Sequence, residues 1–144
     1  KKVNKFLIKE SNSVLYNQKY LNGWIPSIKG NLKKLKDYVV SLKKESFHII
    51  GYGAPTKATL LIEMASLLDN EIDFILEDND LKVGKYLPKV GIEIKSVKAL
   101  TNLKNICIII FAWNFADDIV KKLKQYDRRL LIIKPLPKFE IIKL

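Results

Sequence analysis

Gly51-Tyr52-Gly53-Ala54-Pro55-Thr56-Lys57 follows directly on the apolar run Phe47-His48-Ile49-Ile50, and this stretch decides the fold. A strand ending in two glycines and running into a helical pattern (Leu60, Leu61, Met64, Leu67, Leu68) makes a tight βα turn. Bare backbone N–H groups in such a turn, together with the N-terminus of the following helix, favour a phosphate. Lys57 stands about where the dinucleotide pattern G-x-G-x-x-G carries its third glycine, the one that lets helix and strand pack closely. An ordinary dinucleotide loop is therefore not expected, and the lysine suggests a charge aimed at the ligand. The alternative is a turn that only reverses the chain, as short G-x-G loops often do.

Working outward, Ile28, Leu32, Leu35, Tyr38, Val39 and Leu42 recur at spacings of three and four from Pro26 to Lys44. That spacing predicts a helix before the first strand, with lysines on its outer face. After strand Phe47–Ile50 the pattern predicts a helix over Thr56–Leu68, a strand over Ile72–Leu76, an irregular stretch, a short strand near Gly91–Ile94 and a short helix around Ser96–Leu103. Ile106–Phe111 is a continuous apolar run, as expected when both sheet faces are covered. A helix over Ala116–Gln125 and a second buried-type strand, Leu130–Ile133, follow. Pro135 and Pro137 end that strand, and Phe139–Ile142 predicts a last short edge strand. Strand and helix alternation of this kind means βαβ units. The fold class is α/β, a Rossmann-like three-layer sandwich with a mainly parallel sheet, preceded by an N-terminal helix.

Composition narrows the function classes. With 144 residues, 48% of them hydrophobic, the chain can bury one core. No apolar run approaches the roughly 20 residues of a membrane span, so no membrane partner is expected. The start Lys1-Lys2-Val3-Asn4 lacks an initiator Met and the shape of a signal peptide, as expected of part of a longer polypeptide. Residues 1–25 are read as an extension or linker from an upstream domain missing from this chain, and 26–144 as the folded domain. The lone Cys107, inside Ile106–Ile110, reads as a small buried hydrophobe, which excludes a disulfide framework and a cysteine metal site within the chain. A cytoplasmic location is expected. The formal charge of +11 invites nucleic acid, but lysines scattered over helix faces supply it, and Arg128-Arg129 are the only paired arginines. No aromatic residues interleave with a basic stripe, so no nucleic-acid partner is expected.

In sheets of this class ligands bind outside the carboxyl ends of the strands. Three groups fall there: the Gly51–Lys57 turn, Glu77-Asp78-Asn79-Asp80 after the second strand, and Trp113-Asn114 after Ile106–Phe111. Glu77 and Asp78 suit ribose hydroxyls, although Glu77 lies 24 residues beyond Gly53 against a usual spacing of about 20. They equally suit a turn and helix-cap cluster. Lys82, Lys85 and Tyr86 are within reach of a diphosphate or base, or are simply solvated. Trp113 either packs in the core or stacks on a base or sugar that the Asn114 amide orients. His48, the single histidine, reads as a core residue of the first strand, and nothing supplies a His-based metal site or a Ser-His-Asp arrangement.

Three blocks together carry a resemblance. Gly51-Tyr52-Gly53-Ala54-Pro55-Thr56-Lys57, then Glu77-Asp78-Asn79-Asp80-Leu81-Lys82-Val83-Gly84-Lys85-Tyr86-Leu87-Pro88, then Phe111-Ala112-Trp113-Asn114-Phe115-Ala116-Asp117-Asp118-Ile119, are similar to signature blocks of the C-terminal domain of sugar C-methyltransferases. Lys134-Pro135-Leu136-Pro137 also fits. The resemblance covers most of Phe47–Pro137. It implies S-adenosylmethionine-dependent enzymes that methylate a carbon of a nucleotide-linked deoxysugar. It further implies an N-terminal zinc-binding segment and a central catalytic domain that binds S-adenosylmethionine, neither present here, and a C-terminal Rossmann-like domain that helps hold the nucleotide sugar. By that resemblance Gly51, Tyr52, Gly53, Ala54 and Lys57 form the diphosphate-side loop, Glu77, Asp78, Lys82 and Tyr86 the adjoining rim, and Trp113 and Asn114 a third wall. No catalytic residue, metal or cofactor is expected in this chain. Ala58-Thr59-Leu60-Leu61 replaces the family's Gly-Asn-Thr-Leu-Leu, and Lys89-Val90-Gly91 replaces its Pro-Gly-Thr-His.

The expected role is to bind a nucleoside diphosphate sugar and position it for the upstream methyltransferase domain. The glycine turn would offer its N–H groups to the diphosphate and Lys57 would neutralise it. Two other classes stay open: a dinucleotide- or methyl-donor-binding domain using Gly51, Gly53 and Glu77, and an interaction module whose loop binds no ligand.

Overall fold

Runs such as Ile106–Ile110, apolar at every position, have no polar side to turn to water and are stable only as strands covered on both faces. The computed structural model, which describes residues 2–13, 18–68, 70–101, 103–126 and 129–144, builds five parallel strands into one sheet with an antiparallel sixth at one edge. Helices α1 (Lys2–Ser11) and α2 (Gln18–Lys44) precede β1 (His48–Tyr52), and α3 (Thr56–Met64) leads to β2 (Phe74–Leu76). A long irregular segment leads to β3 (Ile94–Lys95), and one 3-10 turn (Val97–Leu100) to β4 (Ile106–Ile110). A second 3-10 turn (Trp113–Phe115) runs into α4 (Ala116–Leu123), followed by β5 (Leu130–Lys134) and β6 (Glu140–Lys143).

The sheet order is β3-β2-β1-β4-β5-β6, with all pairs parallel except β5 with β6. Side chains alternate between the faces. Ile49, Ile75, Cys107, Ile109, Phe111 and Ile133 pack under α2 and α3, through Leu35, Val39, Ala58 and Ile62. Ile50, Leu76, Ile108, Ile110 and Ile132 pack against Ile119, Val120 and Leu123 of α4 and against Leu100. This is the three-layer α/β sandwich expected from the alternation, with helices on both faces.

Several boundaries differ from the sequence-based expectation. The helix expected from Pro26 begins at Gln18 and carries Pro26 inside it. A proline interrupts only one helical hydrogen bond, and the apolar spacing continues back through Trp24, Ile25 and Tyr20. Those three side chains are exposed, and α1 has no buried residue at all. Residues 14–17 of the expected extension, and Arg128 of the arginine pair, lie outside the described residues. Helix α3 stops at Met64 instead of Leu68, because Ser66 adopts φ 54° and the Leu67 N–H closes the end on the Ile62 carbonyl. Leu67 is thereby turned into the core while Leu68 stays exposed. The helix expected at Ser96–Leu103 shrinks to the 3-10 turn, and β3 lies at Ile94–Lys95.

β1 extends two residues past Ile50, so Gly51 is a strand residue and no part of the loop. Its missing side chain has a packing cause: a Cβ there would stand 2.3 Å from Ile75 Cδ1 and 2.5 Å from Phe111 Cε2. Gly51→Ala should lower stability in urea by about 1–3 kcal/mol, the usual cost of overpacking a core. Phe111→Leu clears space at the same point. In a double-mutant cycle the pair should therefore cost less than the two single changes added together, and strict additivity would contradict the packing explanation.

Candidate functional site

The strand order reverses between β1 and β4: the helix after β1 covers one face, the helix after β4 the other. At such a switch point two loops diverge and leave a crevice at the carboxyl ends of the strands. Here the loops touch at their roots. The Phe111 N–H donates to the Tyr52 carbonyl at 2.9 Å and the Ala112 N–H to the same oxygen at 3.3 Å. Gly53 has φ 87°, and a Cβ on it would sit 2.6 Å from Ala112 Cβ. Glycine is required at this position for both reasons, left-handed backbone and close approach.

The inside of the β1 corner is filled by a carboxylate. Glu77, just past β2, accepts the Ala54 N–H on Oε2 at 2.9 Å, and its Oε1 accepts the Asp78 and Asn79 N–H groups at 3.0 and 3.2 Å. Lys82 Nζ donates to Oε2 and to the Ala54 carbonyl, each at 3.1 Å. Burial tends to raise the Glu77 pKa, but the Ala54, Lys82 and Asn79 hydrogen bonds outweigh it and hold the carboxyl below the usual glutamate range. The Gly53 N–H is also engaged, by the Leu76 carbonyl at 2.8 Å. The two turn N–H groups expected to meet a phosphate thus have partners inside the protein.

Lys57 takes a different direction. From the first turn of α3 it reaches across the switch point, with Nζ 3.8 Å from the centroid of the Trp113 ring and donating to Asn114 Oδ1 at 3.2 Å. Both partners are neutral, and among the described residues no carboxylate forms an ion pair with this ammonium. Lys36, Lys82, Lys89, Lys122 and Lys134 are all paired with acids. The helix start beneath it has Pro55 at its cap and no side-chain cap hydrogen bond.

Clefts open on either side of this turn. One, of about 570 Å³, lies between α3 and the 82–89 segment, with Pro55, Leu60, Tyr86, Leu87, Pro88 and Ile94 among its walls. The other, of about 550 Å³, lies between α4 and the β5–β6 connection and is lined by Trp113, Asn114, Asp117, Lys134 and Glu140 among others.

Residues 1–137 match the family described as the C-methyltransferase C-terminal domain. The chain belongs to that family. It is also 29% identical over 110 residues to the C-methyltransferase NovU of Streptomyces niveus, an alignment that covers 76% of this chain and 26% of the relative. The chain therefore aligns with about a quarter of that relative's length.

The residues singled out in this C-methyltransferase C-terminal domain do not all converge. Ala54, Lys82 and Tyr86 line the α3 cleft, and Trp113 and Asn114 line the α4 cleft, with Lys57 joining the two groups. Tyr52 and Asp78 are turned toward the α4 face. The Tyr52 hydroxyl donates to the Asp78 carboxylate at 3.0 and 3.1 Å, and Lys122 of α4 pairs with the same carboxylate. Burial pushes the Tyr52 hydroxyl up to about 12, with Asp78 adding to the effect and Lys122 opposing it. His48 is half-buried rather than a core residue. It sits at the amino end of β1, away from the carboxyl ends of the strands, with Nδ1 2.9 Å from Asp73 Oδ2. Cys107 is fully buried, and burial raises its thiol to about 12.

Sequence reasoning passed over Asp117, Lys134 and Glu140, which form one ion cluster: Lys134 Nζ is 2.9 Å from Asp117 and 3.6 Å from Glu140. Three charges on α4, β5 and β6 carry no local signal of meeting. Lys122 was missed for the same reason.

Glu77 yields a pH signature. Because its folded pKa is depressed, its stabilisation is complete above the ordinary glutamate value of 4.5 and disappears as pH falls through the lower folded value. Glu77→Ala should cost about 2–3 kcal/mol in urea at pH 7, since three N–H groups and an ammonium lose an acceptor. The stability of the variant should also change less than that of the parent between pH 5 and acid unfolding, about one titrating group fewer. An equally steep acid limb in the variant would show that Glu77 is not held in this way.

Proposed function

We propose that this domain holds the diphosphate of a nucleoside diphosphate sugar at the first turn of α3 and presents the sugar to an S-adenosylmethionine-dependent C-methyltransferase domain of the same protein. The observation that carries the reading is Lys57, an ammonium held over Trp113 and against Asn114, with no acid among the described residues to neutralise it, at the switch point of the sheet. An isolated positive charge fixed beside an uncapped helix start attracts an anion. The membership of the chain in the C-methyltransferase C-terminal domain family supports a role in methyl transfer.

The phosphate contacts in this reading differ from those expected of the glycine turn. With the Gly53 and Ala54 N–H groups engaged, the donors are the Thr56 and Lys57 N–H groups of α3 and the Lys57 ammonium. Glu77 occupies the place where the pyrophosphate of a dinucleotide would approach, and its charge repels one there. NAD is thereby disfavoured as a ligand of this domain, and the Lys57 ammonium at the switch point disfavours the cationic S-adenosylmethionine. The methyl donor, bound by the companion domain, would supply the electrophilic methyl group. The residues of this domain contribute binding and orientation, which lowers the barrier by holding the reacting carbon in place. A cytoplasmic setting belongs to the same reading, supported by the lone cysteine of the sequence.

Calorimetric titration of the chain with nucleoside diphosphate sugars, NAD and S-adenosylmethionine tests the proposal. Only the sugar nucleotides should bind. Lys57→Ala should weaken them by about 10- to 100-fold, the scale of one charge-assisted contact, and affinity should fall with added salt. Unchanged affinity in Lys57→Ala would eliminate the proposed phosphate site.

A further inference from the structure

Resting on the diphosphate site proposed above, we infer the polarity of the bound ligand: its base lies in the cleft against Tyr86 and its sugar in the cleft beside Trp113, Asn114 and Asp117. The two clefts have unlike chemistry and share the α3 turn as their divide. Ala54, Pro55 and Thr56 wall the first; Lys57, one residue on, contacts Trp113 and Asn114 of the second. A diphosphate on the turn between them must therefore extend one arm each way.

The α3 cleft suits a planar apolar group. Its apolar walls are Pro55, Leu60, Leu87, Pro88 and Ile94, and Tyr86 is 62% exposed, which leaves it accessible to stack on a base. Polar groups stand at the same cleft: the Thr56 hydroxyl, the Thr59 hydroxyl, which donates to the Pro88 carbonyl at 3.4 Å and can still accept, Lys85, and the Lys89–Glu63 and Lys82–Glu77 pairs, so the edge of a base meets hydrogen-bonding partners there. At about 570 Å³ it is also of ordinary size for a small-ligand site.

The α4 cleft suits a sugar instead. Hydroxyl groups need acceptors and donors in alternation, and Asn114, Asp117, Lys134 and Glu140 supply both, with Trp113 in the same wall. Lys134 is only 19% exposed and bridges Asp117 to Glu140, so the acceptors are fixed by a partly buried cation. Asp117 is held below its usual range by the Lys134 hydrogen bond and remains an acceptor over the working pH range. A catalytic group from a companion domain would then approach over α4 and the β5–β6 connection.

Calorimetry on the full 144-residue chain with matched pairs, UDP against UDP-glucose and dTDP against dTDP-glucose, separates the arms. Tyr86→Ala should weaken the free diphosphate and its glucose conjugate alike, by about tenfold, the scale of one lost base stack. Tyr86→Phe should retain the affinity. Asp117→Ala should leave UDP and dTDP unchanged and reduce the advantage of the glucose conjugates over them. The inverse pattern, with Tyr86→Ala felt only by the conjugates or Asp117→Ala by the free diphosphates, overturns the assignment while leaving the diphosphate site standing. So does tight binding that neither change affects. Failure of every nucleotide and sugar nucleotide to bind the unaltered chain overturns the proposed function itself, and the polarity with it.

Discussion

The contact of Gly53 with Ala112 is the constraint on which the site depends. Two strand ends that belong to different halves of the sheet are drawn together until no Cβ fits between them, with both the Phe111 and Ala112 N–H groups on the Tyr52 carbonyl. Because the roots of the loops are joined, the first turn of α3 and the 3-10 turn at Trp113–Phe115 leave the sheet side by side, and a lysine on one can rest on an aromatic ring of the other. A bulkier residue at position 53 would separate the two loops and with them Lys57 from Trp113. The left-handed φ of 87° at the same residue makes substitution doubly unfavourable.

Charge is the second organising element. The chain carries 26 basic and 15 acidic residues, yet near the carboxyl ends of the strands most lysines have a designated acid. Lys82 holds Glu77, Lys122 holds Asp78, and Lys134 holds Asp117 and Glu140. The Lys122–Asp78 pair ties α4 to the segment after β2, and the Lys134 cluster ties α4, β5 and β6 together. Among the described residues Lys57 differs by having only the dipole of an amide and the face of an indole for company, which stabilises an ammonium by roughly 1 kcal/mol and leaves its charge available. Glu77 acts in the opposite sense. It brings its own negative charge into the glycine corner and accepts the Ala54 N–H, which in a dinucleotide fold would face a phosphate.

Much of this was legible in the residues. The runs at Ile106–Ile110 and Leu130–Lys134 announce buried parallel strands because no alternation with polar residues interrupts them. The position of Lys57 in place of a third glycine marked the turn as unusual, and in the structure that lysine reaches across to Trp113 and Asn114. Gly51 was harder to read. Paired with Gly53 it looks like part of a loop, whereas its absent side chain accommodates the Phe111 ring, sixty residues downstream. The end of α3 carries no glycine to signal it, since Ser66 takes the left-handed conformation itself. Tyr52 and Glu77 could be placed at the strand ends by pattern but not aimed. Only tertiary packing turns Tyr52 toward Lys122 and folds Glu77 back on Ala54.

Backbone and indole N–H resonances followed by NMR during titration with dTDP-glucose test the central claim most directly, since they report which groups meet the ligand without altering any of them. The largest shifts should fall on the Thr56 and Lys57 amides and the Trp113 indole N–H, with Gly53 and Ala54 little moved because their N–H groups already have internal acceptors. Shifts concentrated instead on Gly53 and Ala54, or at the amino ends of the strands around His48 and Asn105, would contradict an anion site built on Lys57 at the switch point.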